Sequence, residues 1–232
     1  MYSSVTHIFS QHDRDAIARH IEATAAQDYS PFWTTGWPSE TEAALLDAVF
    51  SARATYGGTN TGVRRVVSRW RAYRNTDHLD DLAALASFTE RPEALAEILG
   101  NRQRVAGNST AKAEAVAKSA AVLVGCGVRA ADQLFDADDQ REAFTAVAGV
   151  GPKTWECALF LVGRRTLDAL LHFVVFASDA VGRRVEGELA EHFLQLTAES
   201  MGAPHAALEH AVWRYQRRIG PAAPLPSLSE AG

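Results

Sequence analysis

Apolar residues recur three and four positions apart along nearly the whole chain, and this spacing limits the possible folds more than any other property of the sequence. Ala44, Leu45, Ala48 and Val49 make one such stripe. Residues three or four apart share one face of an α-helix, whereas strands need alternation or β-branched runs, which are rare here. Hydrophobic residues make up 47% of the chain, enough for a sizeable helical core. The sequence therefore predicts an all-α protein.

Capping and termination signals give the boundaries of the predicted helices. Ser39 and Glu42 have the spacing of a capping box, which predicts a helix from about Glu40 to Thr55. Pro92 in the first turn and Gly100 after the end predict a helix between them. Further predicted helices begin near residue 61 and cover 77–88, 110–124, 138–147, 152 to beyond 161, 168–177, 181–197 and 205–218, with a frayed tail at 221–232.

Composition excludes several classes of protein. Two cysteines, Cys126 and Cys157, are too few for a disulfide framework or for a four-cysteine zinc or iron–sulfur site. Residues 1–10 lack the basic and apolar segments of a signal peptide, and no apolar run reaches the length of a membrane span. We therefore expect a cytoplasmic protein with no membrane partner. The formal charge of −5 means that any nucleic acid must be bound by a segregated basic face.

The most informative segment is the junction Val147–Thr154, where Gly149 and Gly151 flank Val150 between two predicted helices. Glycine permits a positive φ or a close backbone approach, and Val150 can anchor the turn in the core. The backbone N–H groups of the turn, with the positive end of the helix that starts at Pro152, would hold a phosphate without reading the base. The alternative is an ordinary tight turn, because Gly-x-Gly alone is common.

The segment Gly149-Val150-Gly151-Pro152-Lys153-Thr154 resembles the helix-hairpin-helix element of the HhH-GPD superfamily of DNA glycosylases, which includes endonuclease III and 8-oxoguanine DNA glycosylase. Further similar segments extend the resemblance over roughly residues 40–218. They are Leu45–Thr55, Lys112-Ala113-Glu114, and Ser178-Asp179 with Arg184-Val185. The chain departs from the family in lacking the Gly/Pro-rich loop and the four-cysteine cluster, and in its Lys153-to-Asp179 interval of 26.

The resemblance implies a single glycosylase unit over residues 1–232, built as a two-lobed helical bundle. Residues 40–135 would form a six-helix lobe. Residues 1–39 and 136–220 would form a second lobe that carries the hairpin and the catalytic residues. The resemblance further implies a monomer that binds double-stranded DNA at the nucleoid and has neither an iron–sulfur cluster nor another required cofactor. By the same analogy, a monovalent cation would fit at the hairpin carbonyls.

The resemblance also implies an activity, which is the flipping and excision of a damaged or modified base, with AP-lyase activity through a Schiff base. Lys153 occupies the position of the family's nucleophile, and burial beside a helix N-terminus would lower its pKa so that the neutral amine can attack. Asp179, expected at a helix N-terminus, would stabilise the cationic sugar, with Asp168 as the spare candidate. The alternatives are a solvated first-turn lysine and an ordinary N-cap aspartate.

Further residues are expected to contact DNA or the flipped base. Arg53 occupies the position from which the family fills the gap left in the duplex. The predicted DNA-binding residues are Gly149, Val150, Gly151, Thr154, Arg53, Arg64, Arg65 and Lys112, with Arg69, Arg71 and Arg74 extending an arginine strip and Arg102, Arg104 and Lys118 a second basic region. A solvated helix face is the alternative for both basic regions. The predicted base-pocket residues are Trp155, Cys157 and Trp33, with Phe32 and Trp37 as further aromatic candidates and core packing as the alternative.

Two other functions stay open at this point. The same fold could excise hypermodified phage bases in antiviral defence, because no residue in the sequence selects a base. A non-catalytic DNA-binding protein could use the hairpin only as a phosphate grip. Such a protein would not need Lys153 together with Asp179, and this difference separates the two classes. No metal ligand is predicted, since the histidines show no zinc-binding spacing.

Overall fold

The computed structural model describes residues 10–25, 35–52 and 61–219. These residues form eleven α-helices and contain no β-strand, which confirms the predicted all-α class. The helices are α1 (Gln11–His20), α2 (Thr41–Ser51), α3 (Gly62–Arg74), α4 (Leu82–Ala86), α5 (Pro92–Leu99), α6 (Lys112–Gly125), α7 (Asp138–Thr145), α8 (Pro152–Leu161), α9 (Leu167–Val181), α10 (Gly187–Ser200) and α11 (His205–Ile219). A π-helical turn, Ile21–Ala25, continues α1. Within the described ranges, no helix has both the length and the apolarity needed to cross a bilayer.

The chain divides into two compact units. The central unit is Gly36–Thr166 and contains α2 to α8, whereas the terminal unit combines Met1–Thr35 with Leu167–Gly232 and contains α1 and α9 to α11. The sequence-based lobes placed residues 136–166 with the chain ends. In the structure these residues belong to the central unit, because α7 packs on α6 and α8 packs on α2. The boundary between the units therefore falls after Thr166 rather than after residue 135.

Helix α2 forms the core of the central unit. Residues 41–50 are all buried, because α3, α4, α6 and α8 each pack against this helix. A helix surrounded in this way must satisfy any polar group that it carries. Two acids lie on it, Glu42 and Asp47, and the Asp47 carboxylate accepts a hydrogen bond of 2.8 Å from Trp37 Nε1.

Glu42 is the most deeply buried carboxylate of α2, with no solvent exposure. It accepts hydrogen bonds from Trp70 Nε1 at 2.6 Å, from Arg74 at 2.8 Å and from the Asp81 backbone N–H at 2.9 Å. Burial raises the pKa of Glu42 above its ordinary value of 4.5, although these donors oppose the shift. The predicted capping box is therefore wrong: Ser39 has a φ of 59°, Glu40 is the N-cap residue, and Glu42 joins α2 to α3.

The terminal unit is built around α9, which packs against α1, α10 and α11. Its core contains Phe173, Phe176, Phe193 and Trp213. The predicted helices 168–177 and 181–197 differ from the structure, in which α9 continues through residues 178 and 179 and α10 begins only at Gly187. A connection follows α9, and its Val185 N–H donates a hydrogen bond to the buried Ser178 hydroxyl at 3.0 Å.

Candidate functional site

The junction between α7 and α8 is a tight turn at residues 146–151, as the glycine pattern predicts. Gly149 has a φ of 92°, and Gly151 is the extended N-cap residue of α8. The Val150 N–H donates to the Val147 carbonyl at 3.2 Å, which closes the turn. Within the described residues the N–H groups of Gly149 and Gly151 have no acceptor. Two backbone donors therefore stand beside the positive end of α8.

The two glycines of the turn have different surroundings. A Cβ atom built on Gly149 would lie 2.8 Å from Val105 Cγ2, so the turn packs closely on the segment that precedes α6. A Cβ atom on Gly151 would have no neighbour within 4 Å. Gly149 thus fixes the turn against its own unit, whereas Gly151 presents an open approach to its backbone.

Lys153 is the second residue of α8 and is exposed, so the predicted burial of its amine is wrong. The side chain stands in the first turn of the helix, where a cation is disfavoured by the helix dipole. Thr154 is half-buried, and its N–H donates to the Gly151 carbonyl at 2.9 Å. The hairpin residues predicted to contact DNA therefore lie at one helix end, with Lys153 beside them.

The two candidate acids lie at opposite ends of α9 in the terminal unit, and both are exposed. Asp179 stands in the last turn of α9, so its predicted position at a helix N-terminus is wrong. Asp168 lies in the first turn, where the helix dipole stabilises a carboxylate. Asp179 acts locally on His20: burial lowers the pKa of that imidazole from 6.5, while the Asp179 charge opposes this shift.

Most of the arginine strip on α3 is engaged within the central unit. Arg69 donates to the Ile98 carbonyl at 2.9 Å, Arg71 pairs with Glu40 at 2.6 Å, and Arg74 pairs with Glu42 at 2.8 Å. Arg64 is buried with 9% exposure. Arg65 is exposed and makes no ion pair with any described residue. Of the predicted phosphate-facing strip, only Arg65 in the first turn of α3 is therefore both exposed and without an ion pair among the described residues.

The second basic region is likewise divided by its contacts. Lys112 is only 4% exposed, so its prediction as a surface DNA contact is wrong. Arg102 pairs with Glu97 at 3.2 Å and Lys118 with Glu114 at 2.7 Å. Arg104 is exposed and makes neither a hydrogen bond nor an ion pair through its side chain within the described residues.

The predicted pocket residues belong largely to the core. Trp155 is 2% exposed, stands 5.2 Å from the Phe144 ring and donates to Asp136 at 2.9 Å, so it packs α7 against α8. Cys157 is a half-buried cysteine. Arg53, Phe32 and Trp33 lie outside the described residues. The part of the chain that the structure describes contains no cluster of three or more possible metal ligands.

Sequence reasoning missed a cavity of about 510 Å³ in the central unit. It is lined by residues from the end of α2, the start of α3 and the segment that leads into α6, among them Lys112 and Arg104. The sequence analysis placed both residues in a basic surface region. Charge spacing along the chain does not show which cationic side chains line a cavity. No local pattern links residues 50 and 112, so only the tertiary structure brings them together.

Comparison with known proteins gives a family but no function. A family model described as a domain of unknown function (DUF8548) matches residues 15–217. The chain therefore belongs to this family. No curated protein and no solved structure matches the chain.

Proposed function

We propose that this member of the DUF8548 family is a DNA glycosylase that flips a damaged or modified base out of duplex DNA and excises it, with AP-lyase activity through Lys153. The observation that carries the proposal is the turn between α7 and α8. Its Gly149 and Gly151 N–H groups have no acceptor among the described residues, and its Gly151 face is open. A backbone phosphate is the DNA group that such donors recognise.

Lys153 supplies the reactive group in this proposal. Its neutral amine would attack C1′ of the flipped nucleotide, and the bond to the base would break with its electron pair leaving on the base, which then takes up a proton. Loss of a proton from nitrogen and opening of the sugar ring would give the imine. Loss of a proton from C2′, with the electron pair of the C3′–O bond leaving on the 3′-phosphate, would then cut the strand. The position of Lys153 directly after the phosphate-binding turn supports this role, because a gripped strand would pass close to the amine.

The acid that stabilises the cationic sugar is proposed from α9. The first-turn position of Asp168 supports it, because a negative charge is favoured at that end of the helix dipole. Asp179 is the other candidate by its resemblance to the family, although its last-turn position gives it no such support. Comparison of base release by Asp168→Asn and Asp179→Asn identifies the acid, because the variant that lacks it should be the slower one.

Borohydride trapping tests the proposal sharply, because the chain contains only three lysines, Lys112, Lys118 and Lys153. The protein is incubated with duplexes that carry a panel of damaged or hypermodified bases, and free base, nicked strand and covalent adduct are resolved. We expect an adduct that Lys153→Gln abolishes. Lys118→Gln is the matched control, since this lysine is half-buried and pairs with Glu114, and it should keep the adduct.

Each alternative result has a distinct meaning. Base release without an adduct would leave a glycosylase that uses water, and an adduct that persists in Lys153→Gln would move the nucleophile to another amine. No base release from any substrate, with DNA binding intact, would reject the enzyme. It would favour a non-catalytic DNA-binding protein, a function that the exposure of Lys153 also supports, because a solvated lysine suits a phosphate contact.

A further inference from the structure

The cavity of the central unit lies where α2 ends and α3 begins. Phe50 and Ala52 contribute to its wall from the end of α2, and Gly62 and Val63 from the first turn of α3. Arg104 lines it from the segment before α6, and Lys112 from the first turn of α6. The described residues that line the cavity include two cations and no aspartate or glutamate. The part of the lining that the structure describes is therefore positively charged.

Lys112 is a cation held inside the protein without a carboxylate partner among the described residues. Its Nζ donates to the carbonyls of Phe50 at 2.9 Å and Ala52 at 3.2 Å, and so neutralises the negative end of α2. Burial lowers the pKa of Lys112, because no anion in the described structure compensates for the lost hydration. An ammonium has three N–H donors, and these contacts use two of them. An anion in the cavity would both occupy the third donor and relieve the cost of burial.

Two other donor groups on the wall have no acceptor among the described residues. The Arg104 guanidinium makes no hydrogen bond or ion pair with any described residue. The N–H groups of Gly62 and Val63, in the first turn of α3, have no acceptor there either, and this turn contains no acidic residue. A thirteen-residue helix presents the positive end of its dipole at this point. Three independent sources of positive potential thus meet at one cavity.

We propose that this cavity binds a phosphate group, with the Arg104 guanidinium, the third N–H of Lys112 and the first-turn N–H groups of α3 as its donors. Phosphate offers several charged acceptors to donors that come from different directions, and guanidinium groups bind it in a forked geometry. Phe50, Val63 and Val66 add an apolar wall, which suits an organic phosphate whose sugar or base packs beside the charged group. The assignment does not depend on the glycosylase proposal, since it concerns binding by the protein alone.

The phosphate could belong to a free nucleotide or to a DNA strand, and three probes separate these sources. Isothermal titration calorimetry is performed on the full chain with inorganic phosphate, with a deoxynucleoside 5′-monophosphate and with a short 5′-phosphorylated oligonucleotide. We expect saturable binding of at least one probe. Preference for the monophosphate would identify a free nucleotide, and preference for the oligonucleotide would identify a DNA end, each supporting the site.

Variants of the wall and of its neighbourhood decide whether the cavity is the site. Arg104→Gln should weaken phosphate binding about tenfold or more, the usual effect of losing one charge-assisted hydrogen bond. Arg102→Gln is the matched control, since this arginine is exposed two residues away, pairs with Glu97 and does not line the cavity. Lys112→Met should also abolish binding. Lys112→Met also removes the contact to the end of α2 and could unfold the protein. In that case Arg104→Gln alone decides whether the cavity is the site.

Two results would overturn the proposal. One is failure of all three phosphate probes to bind the wild-type protein. The other is equal weakening by Arg102→Gln and Arg104→Gln, which would indicate a diffuse surface attraction instead of a defined cavity. Loss of base excision is not a readout here. A failed phosphate site and a failed glycosylase proposal therefore remain distinguishable.

Discussion

Gly149 and Gly151 stand two positions apart in the same turn, yet the structure gives them different reasons to be glycine. At Gly149 both the backbone and the space exclude a side chain, because φ is positive and Val105 is close. At Gly151 the backbone is extended and the space is open, so only the approach of an external group would require glycine. One residue serves the fold, and the other is free to serve binding.

Alanine at each position tests this difference. Gly149→Ala should lower the free energy of unfolding by about 1–3 kcal/mol, since it combines a left-handed backbone with a contact that forces Val105 to move. Gly151→Ala should change it by no more than about 0.5 kcal/mol. Chemical denaturation measures both. Equal destabilisation by the two variants would contradict the surroundings described for Gly151.

Asp179 has a measurable role in the terminal unit whether or not it takes part in catalysis. Burial lowers the pKa of His20 and the Asp179 charge opposes that effect, so Asp179→Asn should lower the His20 pKa further. Histidine titration by NMR measures this directly. Asp168→Asn, at the other end of α9, should leave His20 unchanged. An unchanged His20 pKa in Asp179→Asn would show that the two side chains do not interact.

At the scale of elements, the sequence predicts a helix well where its signals are local. The predicted helix between Pro92 and Gly100 is α5 itself, because proline fixes its first turn and Gly100 adopts the left-handed C-cap. The prediction fails where hydrogen bonds to distant residues compete with the hydrogen bonds of the helix. Of the predicted helix 77–88 only α4 forms, since Leu79 N–H donates to Glu40 and the Asp80 carboxylate accepts from Thr41. These bonds tie the segment to the start of α2 and hold it out of a helix.

The candidate site follows the same rule. The turn between α7 and α8 is encoded by neighbouring residues, so its glycine positions and the start of α8 could be predicted. The burial of Lys112 could not, because its partners Phe50 and Ala52 are about sixty positions away. The exposure of Lys153 was also unpredictable, since the spacing of apolar residues places its helix but not the neighbours of its amine.

The contact between α2 and α3 predicts a pH dependence of stability. Because the pKa of Glu42 is raised above 4.5, the native state holds this proton more tightly than the unfolded chain does. The resulting contribution to stability is present below pH 4.5 and is lost as pH rises through the raised pKa. Glu42→Gln removes this titration. The free energy of unfolding of Glu42→Gln relative to the wild type should therefore increase with pH across that window.

Urea denaturation at a series of pH values measures this difference. Glu90→Gln is the control, since Glu90 is exposed and its replacement should leave the wild-type pH profile unchanged. A relative stability of Glu42→Gln that stays flat with pH would mean that the buried carboxylate titrates as it does in the unfolded chain, and one that decreases with pH would mean that folding lowers its pKa. In either case the network with Trp70 and Arg74 would compensate at least fully for its burial.

At the scale of the whole molecule, the net charge of −5 means that a polyanion must be bound by a segregated group of cations. Internal contacts use Arg69, Arg71 and Arg74, and Lys112 is buried. If DNA is bound as proposed, the phosphate contacts should come from the few exposed cations near helix starts. Among these are Lys153 at α8 and Arg65 at α3. The protein would then neutralise few phosphates.

The salt dependence of DNA binding tests that expectation. Lys153→Gln and Arg65→Gln should each reduce the slope of log K against log salt by about 0.9, the value for one phosphate contact. Arg71→Gln is the control, because this arginine is paired with Glu40, and its slope should match the wild type. Fluorescence anisotropy of a labelled duplex measures the slopes. A reduced slope for Arg71→Gln would mean that the paired arginines of α3 also contact phosphates.

The division of the chain also sets an order of events during synthesis. The terminal unit joins residues from before Gly36 to residues from beyond Thr166, so α1 has no α9 to pack against until the whole central unit has left the ribosome. The central unit is continuous in sequence and can close its core around α2 first. Contacts between α1 and α9 span a long loop and should form late. Until then Ile17, the buried residue of α1, lacks the partners that cover it in the folded terminal unit.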